Sequence, residues 1–205
     1  KKFIQPAKFG KTTLRFNWNA AIAVQGQKLF MGSQFVHLSE DKGQSWKIIS
    51  PDLTSNNPDK LQQAKSGGLT IDATNAENYC TITSLASGRE LLWAGTDDGN
   101  IWVRDENETW SKVSENVKDI PENVYIQQIH LNINNEKEAW IVANNYRQND
   151  WKPYLYHTDN QGKTWKNIVT NDIEGHTLSF LQDSMNPSLL FLGTDRGLYY
   201  SFNSG

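Results

Sequence analysis

Glu77, Asp97 and Asp195 are the acidic side chains of this 205-residue chain whose settings could serve acid–base chemistry. Asp97 and Asp195 sit in matching phrases, Leu92-Trp-Ala-Gly95-Thr96-Asp97-Asp-Gly99 and Leu190-Phe-Leu-Gly193-Thr194-Asp195-Arg-Gly197, while Glu77-Asn78 leads into an apolar run. Hydrolysis of a glycosidic bond needs two carboxyl groups flanking it, one giving a proton and one activating water or attacking. A repeated Thr-Asp is equally an ordinary turn acceptor, because an Asp side chain bonds backbone two residues on. A lone Glu in a loop is ordinarily solvated. Arg15, Trp18 and Asn78 are placed to grip a sugar, and Asn17, Trp18 and Asn19 to line a polar channel at the start of an inner strand. Tyr146, Arg147 and Trp151 offer rings and a cation for a sugar or a protein partner, or Trp151 packs beneath its own loop.

These residues must be positioned by something, and the sequence repeats itself in a way that says what. Ser39-Glu-Asp41-Lys-Gly43-Gln-Ser45-Trp46 returns as Thr158-Asp-Asn160-Gln-Gly162-Lys-Thr164-Trp165. A worn copy runs Val103-Arg-Asp105-Glu-Asn107-Glu-Thr109-Trp110, and a truncated one is Ser201-Phe-Asn203-Ser-Gly205. The third residue is a turn acceptor, the Gly takes positive φ, the hydroxyls bond across the turn, and the Trp opens a strand and plugs the layer beneath. Gly-Thr-Asp turns precede the worn and truncated copies, with Gly32-Ser33-Gln34 as the looser version before the first.

One unit is therefore strand, loop, strand, Gly-Thr-Asp turn, strand, box turn, Trp-led strand: a four-stranded antiparallel meander, the blade of an all-β propeller. The expected strands are Trp18–Val24, Lys28–Gly32, Phe35–Leu38 and Ser45–Ile49, then Tyr79–Ala86, Glu90–Ala94, Asn100–Arg104 and Thr109–Val113. In the third unit they are Tyr125–Leu131 and Glu138–Ala143, with an enlarged turn over Asn144–Pro153; in the fourth they are Thr177–Gln182, Ser188–Leu192 and Leu198–Phe202. Residues 1–205 are expected to form one partial propeller domain with blades near 15–50, 79–113, 124–169 and, incomplete, 176–205. Its closure is expected from the remainder of the same propeller. Successive closing Trp residues stand 64 and 55 residues apart, against about 40–50 for a bare blade, and the excess lies in the loops Pro51–Asn78 and Asn144–Pro153.

A net charge of −3 argues against a nucleic-acid surface, which carries a basic stripe. No apolar run approaches the roughly 18 residues that span a bilayer, so no membrane insertion is expected. The single cysteine, Cys80, excludes an internal disulfide and reads as a small buried thiol within Tyr79–Leu85. No His or Cys cluster has ligand spacing, so neither metal nor cofactor is expected.

With its box phrases and Gly-Thr-Asp turns, the chain resembles the Asp-box (BNR) repeat propellers, and among them bacterial sortilin-like or "glycosyl hydrolase" repeat proteins. The likeness rests on Leu14-Arg15-Phe-Asn17-Trp18-Asn19, Gly32-Ser33-Gln34, Ser50-Pro51-Asp52-Leu53-Thr54, Gly67-Gly68-Leu69-Thr70, Glu77-Asn78 and Gly95-Thr96-Asp97-Asp98-Gly99. The resemblance implies an exported protein, secreted, periplasmic or on the cell surface, that recognises a glycan or protein partner through inter-strand loops. It also implies an alternative, a polysaccharide-acting glycoside hydrolase, because xyloglucanase-type propellers carry a catalytic Asp in a turn like those at Asp97 and Asp195. The arginine triad and Arg-Ile-Pro phrase of sialidases cannot be assembled from Arg15, Arg89, Arg104, Arg147 and Arg196.

Overall fold

The repeated phrase folds as a latch. In the first copy the Ser39 hydroxyl donates to Asp41 Oδ1 (2.8 Å) and accepts the Gly43 N–H (2.8 Å). Asp41 then accepts the Ser45 N–H (2.8 Å) and the Ser45 hydroxyl (2.6 Å). Lys42 and Gly43 both take left-handed backbone, φ 61° and 83°, which a Gly adopts without cost. The copy at Thr158–Thr164 repeats the first three bonds through Asn160 and reverses the fourth, the Asn160 amide donating to the Thr164 hydroxyl (2.7 Å). The worn copy keeps only the Asp105 half, accepting the Asn107 and Thr109 N–H groups, because Val103 has no hydroxyl to give. The truncated copy makes the other half: Ser201 Oγ donates to Asn203 and accepts the Gly205 N–H at 2.9 Å.

In the computed structural model, which describes residues 4–6, 10–61 and 78–205, the strands joined by these latches form four antiparallel sheets. Sheet 1 is β1 (Ile22–Gln25), β2 (Lys28–Gly32), β3 (Val36–Ser39) and β4 (Lys47–Ile48). Sheet 2 is β5 (Ile82–Ser87), β6 (Leu92–Thr96), β7 (Ile101–Arg104) and β8 (Trp110–Lys112). Sheet 3 is β9 (Tyr125–Leu131), β10 (Ala139–Asn145), β11 (Asp150–Thr158) and β12 (Lys166–Asn167). Sheet 4 has three strands, β13 (Thr177–Gln182), β14 (Leu190–Thr194) and β15 (Leu198–Ser201). Within each sheet the order follows the chain, as a meander requires.

Each sheet packs face to face on the next. Phe30, Val36 and Leu38 of sheet 1 meet Ile82, Leu85 and Leu92 of sheet 2. Trp93, Ile101 and Val103 meet Ile126, Ile129 and Ile141 of sheet 3, whose Trp140, Val142 and Leu155 meet Phe180, Leu190 and Leu192 of sheet 4. Trp93 and Trp140 are fully enclosed, and burying side chains of this size stabilises by about 2–3 kcal/mol each. The sheets approach closely where glycine allows it: a Cβ on Gly32 would lie 2.7 Å from Ile82, and one on Gly95 would overlap Ile126. The outer face of sheet 1, with Ile22 and Val24, and that of sheet 4, with Leu181, Leu198 and Tyr200, remain exposed.

The closing Trp residues are half-buried, where the sequence reading has them as core plugs, and two of them, Trp110 and Trp165, wedge against the preceding sheet. Trp110 reaches back to sheet 1, its indole N–H donating to the Ile49 carbonyl (2.8 Å), and Trp165 meets Trp93 edge-on, centroids 6.1 Å apart. The indole N–H of Trp46 is buried without a partner among the described residues.

Three local expectations differ from what forms. Asn17, Trp18 and Asn19 precede β1 instead of opening it: Asn17 Oδ1 accepts the Asn19 N–H (3.1 Å), an Asx-turn that competes with strand pairing. Cys80 is buried but stands in left-handed backbone (φ 58°), so the alternating strand starts at Ile82. Most of Asn144–Pro153 is strand. The turn shrinks to a 3-10 turn, Tyr146–Gln148, plus Asn149 at φ 58°, and Trp151–Pro153 form a bulge opposite Asn144, where a proline is tolerated.

Candidate functional site

Antiparallel order puts the box latches at one end of every sheet and the Gly-Thr-Asp turns, with the inter-sheet connections, at the other. The second end gathers the side chains with chemical options. Asp97 and Asp195 both clamp the residue just before their own sheet's inner strand. Asp97 Oδ1 accepts the Thr81 N–H (2.9 Å), Oδ2 accepts the Thr81 hydroxyl (2.7 Å), and the Asp97 N–H donates to the Thr81 carbonyl (3.1 Å). Asp195 repeats the exchange with His176, accepting its N–H at 2.9 Å and donating to its carbonyl at 3.2 Å. These Asp side chains therefore bond residues 16 and 19 positions back in the chain and not their own turns, which the Thr hydroxyls close: Thr96 accepts the Asn100 N–H (2.9 Å) and Thr194 the Arg196 N–H (3.1 Å).

Burial pushes the Asp97 carboxyl up to about 7, partly opposed by its bonds to Thr81 and reinforced by neighbouring Asp98, with Arg147 pulling it down. Asp98 is itself consumed, accepting from Thr96 (2.5 Å), Asn100 (3.3 Å) and the Ser55 N–H (2.7 Å). A pocket of about 200 Å³ opens beside Asp97 between sheets 2 and 3. Tyr79 and Tyr125 wall it, their hydroxyls driven up by burial and by the field of Asp97, Tyr125 to about 12. The Arg147 guanidinium lies 4.7 Å over the Tyr125 ring. Burial pulls on the Arg147 charge, and Tyr146, Tyr125 and Asp97 more than offset that pull. Lys60 lies 4.9 Å over the Tyr79 ring and bonds Asn123. Asn144, paired across the ladder with Tyr125, donates to Gln127 (3.2 Å), and its Oδ1 is buried with no partner among the described residues.

On the other side of the β10–β11 turn three rings cluster. Tyr146 stands 4.9 Å from His176, Trp151 is edge-on to His176 at 5.5 Å, and Tyr146 and Trp151 are 5.9 Å apart. Trp151 is 53% exposed, its indole N–H donating to Asn149 (3.1 Å), so it stands open on the surface.

The structure brings Asp97, Arg147, Tyr146 and Trp151 to one end of the molecule, and links Asn17 to Asp97 through Thr81, whose hydroxyl accepts from Asn17 (3.3 Å). Arg15 is occupied: it pairs with Asp52 (3.1 Å), donates to Thr54 and to the Cys80 carbonyl, and so ties the segment after sheet 1 to the entry of sheet 2. Asn78 donates to the Phe16 carbonyl (3.0 Å). Trp18 is 75% exposed and Asn19 is in the Asx-turn. Asp195 belongs to sheet 4, a different sheet from Asp97, and Glu77 lies outside the described residues. The pocket residues that sequence reading missed, Lys60, Tyr79, Tyr125 and Asn144, carried one weak signal: three of them flank inner-strand starts or strand ends. Among the described residues no group of three His, Cys, Asp or Glu converges as metal ligands do, and no helix is long and apolar enough to cross a membrane.

No protein-family model matches the chain, and no curated protein does. Solved structures do. It is similar to an ancestral GH74 enzyme (TM-score 0.61, 17% identity, 96% of this chain and 25% of that one) and to the GH74 xyloglucanase from Xanthomonas campestris (0.59, 16%, 91% and 28%). It is also similar to the Cps50 (Swd1) beta-propeller domain of Myceliophteria thermophila (0.57, 11%, 93% and 53%). The chain spans about a quarter of the length of the GH74 enzymes. At these identities the likeness is one of fold, and the four sheets are the blades of an arc of β-propeller.

Proposed function

We propose that the chain is a non-catalytic glycan-binding propeller module working outside the cytoplasm, with its ligand held at the Gly-Thr-Asp end of the sheets. The supporting observation is the β10–β11 turn, where consecutive residues face two ways: Tyr146 joins Trp151 in an open aromatic platform, and Arg147 enters the polar pocket beside Asp97. Flat rings beside convergent polar groups suit a sugar, whose pyranose faces are apolar and whose edges are hydroxyls. The test is calorimetric titration of the intact protein against a panel of plant, microbial and host oligosaccharides. Trp151→Ala is expected to weaken binding about tenfold, the effect of removing an anchor worth over 1 kcal/mol. Failure of the protein to bind any glycan in the panel overturns the reading.

The hydrolase alternative draws on one observation, that Asp97 keeps its proton to about pH 7, as a general acid must. Against it, both Asp97 oxygens are engaged by Thr81 and the described part of the pocket holds no second carboxylate facing it. Reducing ends released by the protein and absent with Asp97→Asn would favour catalysis over binding alone.

A further inference from the structure

We infer that the pocket between sheets 2 and 3 is a subsite for an acidic sugar, taking the carboxylate of a uronate residue between Lys60 and Arg147 and one of its ring hydroxyls on Asn144. The inference rests on the glycan reading above and adds the charge of the ligand. Three observations lead to it. First, the pocket holds two cations, and among the described residues neither makes an ion pair; Lys60 rests on Tyr79 and the neutral Asn123, and Arg147 rests on Tyr125. The one carboxylate that the described residues bring to the pocket, Asp97, already spends both oxygens on Thr81. Cations that no carboxylate of the described residues meets at ion-pair distance, set in a partly enclosed space, are an anion's site.

Second, Asn144 is 1% exposed and its Oδ1 has no partner among the described residues. A buried acceptor left unpaired costs about 1–3 kcal/mol, and a bound hydroxyl removes that cost. A ligand meeting both demands carries a carboxylate and a hydrogen-bond donor on one small rigid frame. A uronate ring does, whereas an aspartyl or glutamyl side chain brings the carboxylate alone. Third, the space is about 200 Å³, room for roughly six waters at their share of liquid volume. That suits one pyranose ring, with the chain of sugars continuing onto the Tyr146–Trp151 platform next to it.

The experiment titrates the intact protein with tetragalacturonate, with its full methyl ester, which keeps ring and hydroxyls but loses the charge, and with a neutral glucose tetramer. The acid is expected to bind at least about tenfold tighter than the ester at low salt, with the gap narrowing as salt rises. Arg147→Gln and Lys60→Gln are each expected to shrink that gap while circular dichroism shows an intact fold, and Asn144→Ser, keeping a small polar group, to weaken acid and ester alike. Equal affinity for acid and ester, or a preference that survives both cation substitutions, overturns the acidic subsite and leaves glycan binding standing. Tighter binding of a polyglutamate peptide than of tetragalacturonate overturns the uronate. Binding of no sugar at all removes the glycan reading with it.

Discussion

Asp97 accepts two hydrogen bonds and still ends with a raised pKa, because at 2% exposure the loss of water outweighs what Thr81 returns. The sign of the consequence is definite. A carboxyl with a folded value near 7 binds its proton more tightly in the folded than in the unfolded chain, so this group's contribution falls as pH rises from about 4 to 7 and is flat above. His37 works in the opposite sense: burial lowers it to about 4, so its contribution is lost as pH falls below the ordinary histidine value of 6.5. The two oppose each other, and the clean measurement is a difference. Urea unfolding of the protein and of Asp97→Asn between pH 4 and 8 is expected to show the wild type losing ground to the variant up to pH 7; parallel curves would show that Asp97 does not titrate there. At the box, Asp41 is held down to about 2 by the Ser45 hydroxyl first and then by the Ser45 N–H and Ser39. That latch stays closed to pH values where most carboxylates have protonated.

At the scale of the element, close sheet approach depends on missing side chains. Gly95 faces Ile126 of the next sheet with no room for a Cβ, whereas Gly197 in the β14–β15 turn meets nothing within 4 Å. Gly95→Ala is expected to destabilise by about 1–3 kcal/mol through overpacking, and Gly197→Ala to leave the urea midpoint nearly unchanged; equal effects would contradict the packing account. The strands themselves were legible: Tyr125–Leu131 and Thr177–Gln182 form where alternation places them. Where expectation and structure part, side chains competed with the ladder. Asn17 turned the chain before β1, and the bulge carrying Pro153 let β11 begin at Asp150, inside what reads as a long turn. Both are compromises between local bonds and pairing with a distant strand, and a single sequence shows only the first party.

For the whole molecule, the arrangement of packed faces makes a further prediction. A cleft of about 640 Å³ lies beside β15, walled by Leu155, Ile168, Phe180, Leu190 and Leu192 of sheets 3 and 4. Between sheets 1 and 2 the matching position is taken by Trp110, bonded to Ile49, the repeat counterpart of Ile168. Appending the sequence of Gln44–Ile49 after Gly205 is expected to seat its indole in this cleft and raise Tm by about 5 °C, since about 2 kcal/mol shifts a domain of this size by a few degrees. The same extension with Ala in place of Trp should give no such rise, and equal behaviour of the two would show that the cleft is not an indole seat.

What the chain's order of residues determined by itself is everything bonded over short distances: the latch of Ser39, Asp41 and Gly43, its copies, the Thr-Asp turns, and hence four meanders of one kind. Those bonds span two to four residues, so their pattern can be read in a line. The pocket could not be. Lys60, Asp97, Asn144 and Arg147 come from three separate stretches of chain and meet only because sheets 2 and 3 pack face to face. Their loss of water, which lifts Asp97 and orphans Asn144, exists only once that packing has happened.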